Sequence, residues 1–201
     1  MRRWFLPETP DLLGLLGRQG AVTLDGMDAF VAWAKGDAAK EEEVRAFEHQ
    51  ADLARKAVLE AVKHAFVTSI GPEDAYELSE RLDVVLNSAK NLVREADVLG
   101  MGPDAAIAEM ADLLTLGVRN LVSAFPLLVS EPDRATEFAN AAVQKQRDIE
   151  HVYRRAMSAL LDVEEIREVT GRRELYRRCS RMGDAVVGVA HRIWYAVVKA
   201  E

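Results

Sequence analysis

The sequence is poor in the residues that tie, break or irregularly bend a chain. One cysteine in 201 residues, Cys179, excludes an internal disulfide framework and any multi-cysteine metal site. Only 12 glycines and 6 prolines are present, and they gather at a few points, so long uninterrupted elements are expected between them. No apolar run reaches the ~18 residues of a membrane-spanning helix. The opening Met1-Arg2-Arg3-Trp4-Phe5-Leu6-Pro7 is basic and then apolar, but Pro7 and Glu8 cut it too short for a signal peptide, which predicts a cytoplasmic protein. There is no Walker loop, no Gly-x-Ser-x-Gly, no His-x-x-x-His and no Glu-x-x-His pair, and no enzyme class is indicated. The four histidines (His49, His64, His151, His191) are scattered and read as surface residues. Net charge is −7, and no aromatic residues interleave with the arginines, so nucleic acid is not an expected partner.

What is present is helical. Apolar residues make up 49 % of the chain, enough for a large core. Gly36-Asp37, Gly71-Pro72, Gly100-Met101-Gly102-Pro103, Glu131-Pro132 and Gly171 divide it into six pieces of similar length. They predict helices near 8–35, 38–67, 72–99, 103–129, 132–164 and 171–200. The first is expected to break in two, because Gly14, Gly17, Gly20 and Gly26 each cost about 1 kcal/mol of helix stability. In the second helix Val44, Phe47, Ala51, Ala54, Val58, Ala61 and Ala65 recur at steps of three and four. In the third, Ala75, Leu78, Leu82, Val85, Ala89, Leu92, Ala96 and Leu99 do the same. Such seams belong to long helical bundles, and no sustained period-two alternation suggests a strand.

The seams repeat. A shift of 98 residues carries the second helix onto Ala142, Lys145, Ile149, Val152, Ala156, Ala159 and Val163, apolar except for Lys145. A shift of 101 carries the third onto Tyr176, Cys179, Gly183, Val186, Ala190, Ile193, Val197 and Ala200. The expected fold is therefore all-α, two tandem three-helix bundles with an internal repeat. The first bundle spans 1–100 and the second 101–201, packed as one compact unit, with Cys179 as a small core residue.

Polar residues flank these seams at a matching spacing. Glu48 and Asp52 lie four apart on one face of the second helix, and Asp83 and Asn87 do so on the third. Ser79 and Asp83 hold the heptad positions that Glu48 and Asp52 hold. On antiparallel neighbours, carboxylates so placed converge, and oxygen ligands from facing helices suit divalent or iron-type metal ions. The same spacing also suits a solvated flank in which Asp52 pairs with Lys56. In the second half the corresponding positions are Gln146 and Glu150, then Ser180, Asp184 and Gly188, so a second metal site would rest on Glu150 and Asp184.

These residues also carry a resemblance. Ser180-Arg181-Met182-Gly183-Asp184 through Ala190 resembles the PhoU pattern Glu-Arg-Ile-Gly-Asp-x-x-x-Asn-Ile-Ala, and Ser79 through Ala89 is its first-half counterpart. Phe47-Glu48-His49-Gln50-Ala51-Asp52 is similar to the Leu-Glu-x-x-Ala-Asp segment of that family. The run Phe66 to Asp74 and the closing segment Tyr176 to Lys199 resemble the Pit accessory branch. The resemblance covers nearly the whole chain. It implies two similar three-helix bundles and metal clusters at Glu48, Asp52, Asp83 and Asn87 and at Glu150 and Asp184. It implies a non-enzymatic regulator of phosphate uptake whose partner is a Pit-type phosphate permease, met at the cytoplasmic face of the membrane. The chain departs from the pattern at Ser79 and Ser180, where the family has glutamate, and again at Gln146 and Gly188. A metal–carboxylate enzyme, a helical scaffold unrelated to phosphate, and a homo-oligomer all stay open.

Two further features stand out. Arg172, Arg173, Arg177, Arg178 and Arg181 form a basic stretch, with Arg173, Arg177 and Arg181 in one helical row, and Glu164, Glu165 and Glu168 are the expected neutralising neighbours. Trp4, Phe5 and Leu6 are expected to cap the end of the core.

Overall fold

Six helices form, and several of them begin or end on local chemistry the sequence supplies. In the computed structural model, which describes residues 10–65 and 68–200, they are α1 (Leu12–Ala34), α2 (Lys40–Lys63), α3 (Pro72–Leu99), α4 (Ala105–Ala124), α5 (Pro132–Ala159) and α6 (Ile166–Ala200). The described residues contain no strand. Short 3-10 turns at Phe125–Leu127 and Leu160–Asp162 end α4 and α5 earlier than the spacing of breaks implies. Asp11 caps α1 by accepting from the Gly14 N–H at 2.8 Å, and Asp104 caps α4 by accepting from Ile107 N–H at 3.0 Å. Pro72 and Pro132 open α3 and α5, where a missing N–H costs nothing. Gly100, at φ +63°, closes α3: its own N–H and that of Met101 turn back to the carbonyls of Asp97 and Ala96. Trp4, Phe5 and Leu6, and Phe66 and Val67, lie outside the described residues.

Two expectations are overturned by packing. The first helix does not break: α1 runs through all four of its glycines. A Cβ on Gly26 would stand 2.6 Å from Leu86 of α3, so the helix gives up propensity there to let its neighbours approach. Nor does Gly171 start the last helix. α6 begins at Ile166, and Gly171 is buried within it under Met101, whose Sδ would lie 2.3 Å from an added Cβ.

α1, α2 and α3 pack on one another, as do α4, α5 and α6. The two sets join through α3 against α6 and α1 against α4. A single apolar core runs through both. It includes Phe30, Leu82, Leu86, Leu92, Leu114, Phe125, Ile193 and the inert Cys179, whose thiol burial pushes upward in pKa. α2 stands on the outside of its set. Of its seam, Val44, Ala51 and Val58 are buried, while Phe47 and Ala61 are only partly covered.

The repeat extends to the one helix pair whose seams the sequence left unmatched. A shift of 91 residues carries Leu16, Met27 and Phe30 of α1 onto Ile107, Val118 and Leu121 of α4, all fully buried. It also carries Gly26 onto Gly117. Gly26 faces Phe47 and Leu86, and Gly117 faces Lys145 (the counterpart of Phe47) and Val186.

One ionic contact ties the start of α3 to the end of α6. Asp74, 4 % exposed, accepts from Arg192 at 2.6 Å and from Lys199 at 3.3 Å. Arg192 and Lys199 also stack over the Tyr195 ring.

Candidate functional site

The helices bring the first-half acidic positions onto a shared face, and side-chain cations hold them there. Glu48 and Asp52 project from α2, Asp83 from α3, and Glu80 joins them. Arg55, one turn beyond Asp52, lies between the two helices. One of its terminal nitrogens donates to Asp52 at 2.8 Å and the other to Glu80 at 2.5 Å, while its Nε stands 3.6 Å from Asp83. Lys56 takes the second oxygen of Asp52 at 2.7 Å, and Lys90 of α3 takes Glu48 at 2.6 Å. Asn87 accepts from Asn91 at 3.2 Å. Hydrogen bonds from Lys56 and Arg55 hold the Asp52 carboxyl below the usual carboxylate range. Burial pushes Asp83 the other way. Arg55 opposes that rise, while Asp52, Glu48 and Glu80 add to it. The bonds to Asp52 and Glu80 raise the already high pKa of the guanidinium.

Ser79 does not share this face. It is 2 % exposed and faces α1, where its hydroxyl donates to Gln19 Oε1 at 2.6 Å while Gln19 Nε2 donates to the Ser79 carbonyl at 2.9 Å. A glutamate here would bury a carboxylate among core residues, so the glutamate of the resembled pattern does not suit this position.

The second-half positions form a thinner arrangement. Gln146 donates to Glu150 at 3.0 Å and reaches Asp184 at 3.5 Å, while Arg154 pairs with Glu150 at 2.7 Å. Gly188 contributes only its carbonyl, which accepts from Arg81 of α3 at 3.4 Å.

These residues do not fit the metal clusters that the resemblance implies. A divalent ion needs open oxygen lone pairs converging at about 2.0–2.6 Å. Here Asp52 gives both oxygens, and Glu48 and Glu80 one each, to guanidinium or ammonium groups, Asp83 has Arg55 at 3.6 Å, and an amide bridges the two carboxylates of the second half. Among the described residues no three His, Cys, Asp or Glu side chains are arranged to hold a metal ion. Sequence reasoning missed Arg55, Lys90 and Glu80. A signal for Arg55 was available: within the 98-residue repeat its counterpart is Tyr153, a change of charge in the middle of a motif.

Three of the five arginines of the stretch on α6 are paired, and with other partners than expected. Arg177 pairs with Glu174, Arg178 with Glu174 and Glu95, and Arg172 with Asp104, while Arg172 also donates to the Gly102 carbonyl at 2.6 Å. Glu164 and Glu165, just before α6, and Glu168, in its first turn, are exposed. All four histidines are exposed.

Searches with family models and among curated proteins find no match to this chain. Solved structures do match. A PhoU-like protein from Shewanella oneidensis MR-1 superposes with a TM-score of 0.82 at 14 % identity, over 94 % of this chain and 100 % of that one. A second protein of the same organism, described as a PhoU-like phosphate regulatory protein, gives 0.79 at 14 % identity over the same shares. This chain has the PhoU-like fold. At this identity the likeness concerns architecture alone, and both PhoU-like neighbours are spanned from end to end. No described helix is long and apolar enough to cross a membrane.

Proposed function

We propose that the chain is a regulator or accessory protein of inorganic phosphate transport, non-enzymatic, which acts by protein contact on a Pit-type permease at the cytoplasmic membrane face. The observation that carries this reading is the end-to-end match to a protein described as a PhoU-like phosphate regulatory protein. The order and spacing of the Glu48–Asp52, Asp83–Asn87 and Asp184 segments support it. Contact is the mode of action that a helical surface provides.

The test is co-expression of the tagged full chain with a Pit-type permease from the same genome, in cells lacking other phosphate importers. Retention of the permease on the tagged protein, together with a phosphate uptake rate altered about twofold or more, is the expected result. An unchanged uptake rate with no co-purification sinks the proposal.

A further inference from the structure

The acidic face between α2 and α3 poses a physical problem that its own residues solve. Glu48, Asp52, Glu80 and Asp83 lie on two neighbouring helices, and Asp83 and Glu48 have side chains only 22 % and 18 % exposed. Like charges this close, away from bulk water, repel strongly and drive helices apart unless a cation sits among them. A cation does sit among them. Arg55 directs its two terminal nitrogens and its Nε at three different carboxylates, one on its own helix and two on α3. Its Nε is buried with no hydrogen-bond partner, which leaves Asp83 at 3.6 Å as its nearest charged contact. Lys56 and Lys90 complete the set, so four carboxylates face three fixed cations.

We infer that Arg55 is the resident cation of this face: its guanidinium takes the position a metal ion would take, and it joins α2 to α3 without metal. The internal repeat shows what the face is without this arginine. The second half has Tyr153 in place of Arg55 and keeps two of the four carboxylates, Glu150 for Asp52 and Asp184 for Asp83, while Gln146 replaces Glu48, Arg181 replaces Glu80, and His191 replaces Lys90. There the link between the two helices is the amide of Gln146, at 3.0 Å from Glu150 and 3.5 Å from Asp184, and Arg154 pairs with Glu150 on its own helix. A guanidinium is permanently charged and holds several carboxylates in a fixed fork, so it serves as such a hub where a lysine would not. It also repels an incoming dication from the oxygens it holds. The inference concerns this face alone and stands whether or not the chain regulates phosphate transport.

The experiment compares the full-length wild type with Arg55→Gln, prepared without chelators, by manganese titration and by thermal melting with and without manganese. The wild type is expected to bind no manganese at this face. Arg55→Gln is expected to melt lower and to bind manganese about tenfold or more tightly than the wild type, with the ion restoring much of the lost melting temperature. That gain is expected to vanish in Arg55→Gln/Asp83→Asn. Manganese affinity that is unchanged or weaker in Arg55→Gln overturns the inference. If Arg55→Gln does not fold, metal content of the wild type beside Asp52→Asn/Asp83→Asn decides: stoichiometric metal lost in the double variant overturns it, and no metal at these residues supports it.

Discussion

The two halves of the molecule keep the same interior and have let the same surface diverge. Inside, the correspondence is close. Leu16, Met27 and Phe30 map onto Ile107, Val118 and Leu121, and Gly26 maps onto Gly117 at equivalent crossings. On the face beside the seams, the first half has an ion network across two helices, built on Arg55. The second has one long amide bridge, 3.5 Å from Gln146 to Asp184, and an ion pair, Arg154 with Glu150, that stays on its own helix. Packing constrains a core position through many neighbours at once, so it resists drift. A charged group on a helix flank depends on one or two partners, so it is freer to change.

The largest effect is expected where the halves meet with opposite chemistry. Asp74 maps by the 101-residue shift onto Leu175, and both are buried. Asp74→Ala leaves Arg192 enclosed with only Glu73 nearby at 3.6 Å and should cost about 3 kcal/mol. Leu175→Ala should cost about as much by opening a cavity. Urea denaturation of both checks this, and an Asp74→Ala cost near zero would show that the ionic contact does not join the halves. Next comes the contrast of the two faces. Arg55→Met should cost about 2 kcal/mol, because it strips hydrogen bonds from Asp52 and Glu80 and removes the positive charge beside Asp83. Arg154→Met in the second half should stay within about 0.5 kcal/mol, since its pair is exposed. Equal costs would break the comparison.

A smaller difference is expected between the equivalent glycines. Alanine at either position gains about 1 kcal/mol of helix propensity. At Gly26 the new methyl meets Leu86 at 2.6 Å and Phe47 at 3.0 Å, and overpacking of about 1–3 kcal/mol outweighs that gain. At Gly117 the nearest atom is Val186 Cγ1 at 3.1 Å, and the change should be nearly neutral. Thermal melts of Gly26→Ala and Gly117→Ala decide whether the two crossings are as unequal as they look.

The architecture was legible because helix breaks and apolar period are local properties. Gly71-Pro72, Gly100 and Glu131-Pro132 lie at element ends, as their chemistry requires. The glycines of α1 and Gly171 misled for one reason: propensity is weighed within a helix, while the contacts of Leu86 with Gly26 and Met101 with Gly171 come from elsewhere in the chain. The face was half legible. Spacing placed Glu48 with Asp52 and Asp83 with Asn87, and it foresaw the pairing of Asp52 with Lys56. Heptad position put Ser79 on that face too, but the polar contact with Gln19 across sixty residues turns it inward. The role of Arg55 depends on a neighbouring helix, which no spacing within α2 reveals.

The smallest effects test the face by sign rather than size. Asp52 has its folded pKa lowered by Lys56 and Arg55, so its ionised form stabilises the fold. That contribution is present above the unfolded value of about 3.9 and is lost as pH falls through the folded one. Asp83 has its folded pKa raised, chiefly by burial, so ionising it costs stability. The cost is absent well below about pH 4 and is complete once pH has risen through the folded value. Asp52→Asn should therefore destabilise at pH 7, and Asp83→Asn should leave stability unchanged or slightly raised, each by less than about 1 kcal/mol. Both differences should shrink as the pH is lowered toward 3. Urea denaturation at pH 7, 5 and 3 reads them against the wild type. A destabilised Asp83→Asn at pH 7 would mean that the attraction of Arg55 outweighs burial at that carboxylate. The hub would then hold all three of its acids at a profit, rather than two at the expense of the third.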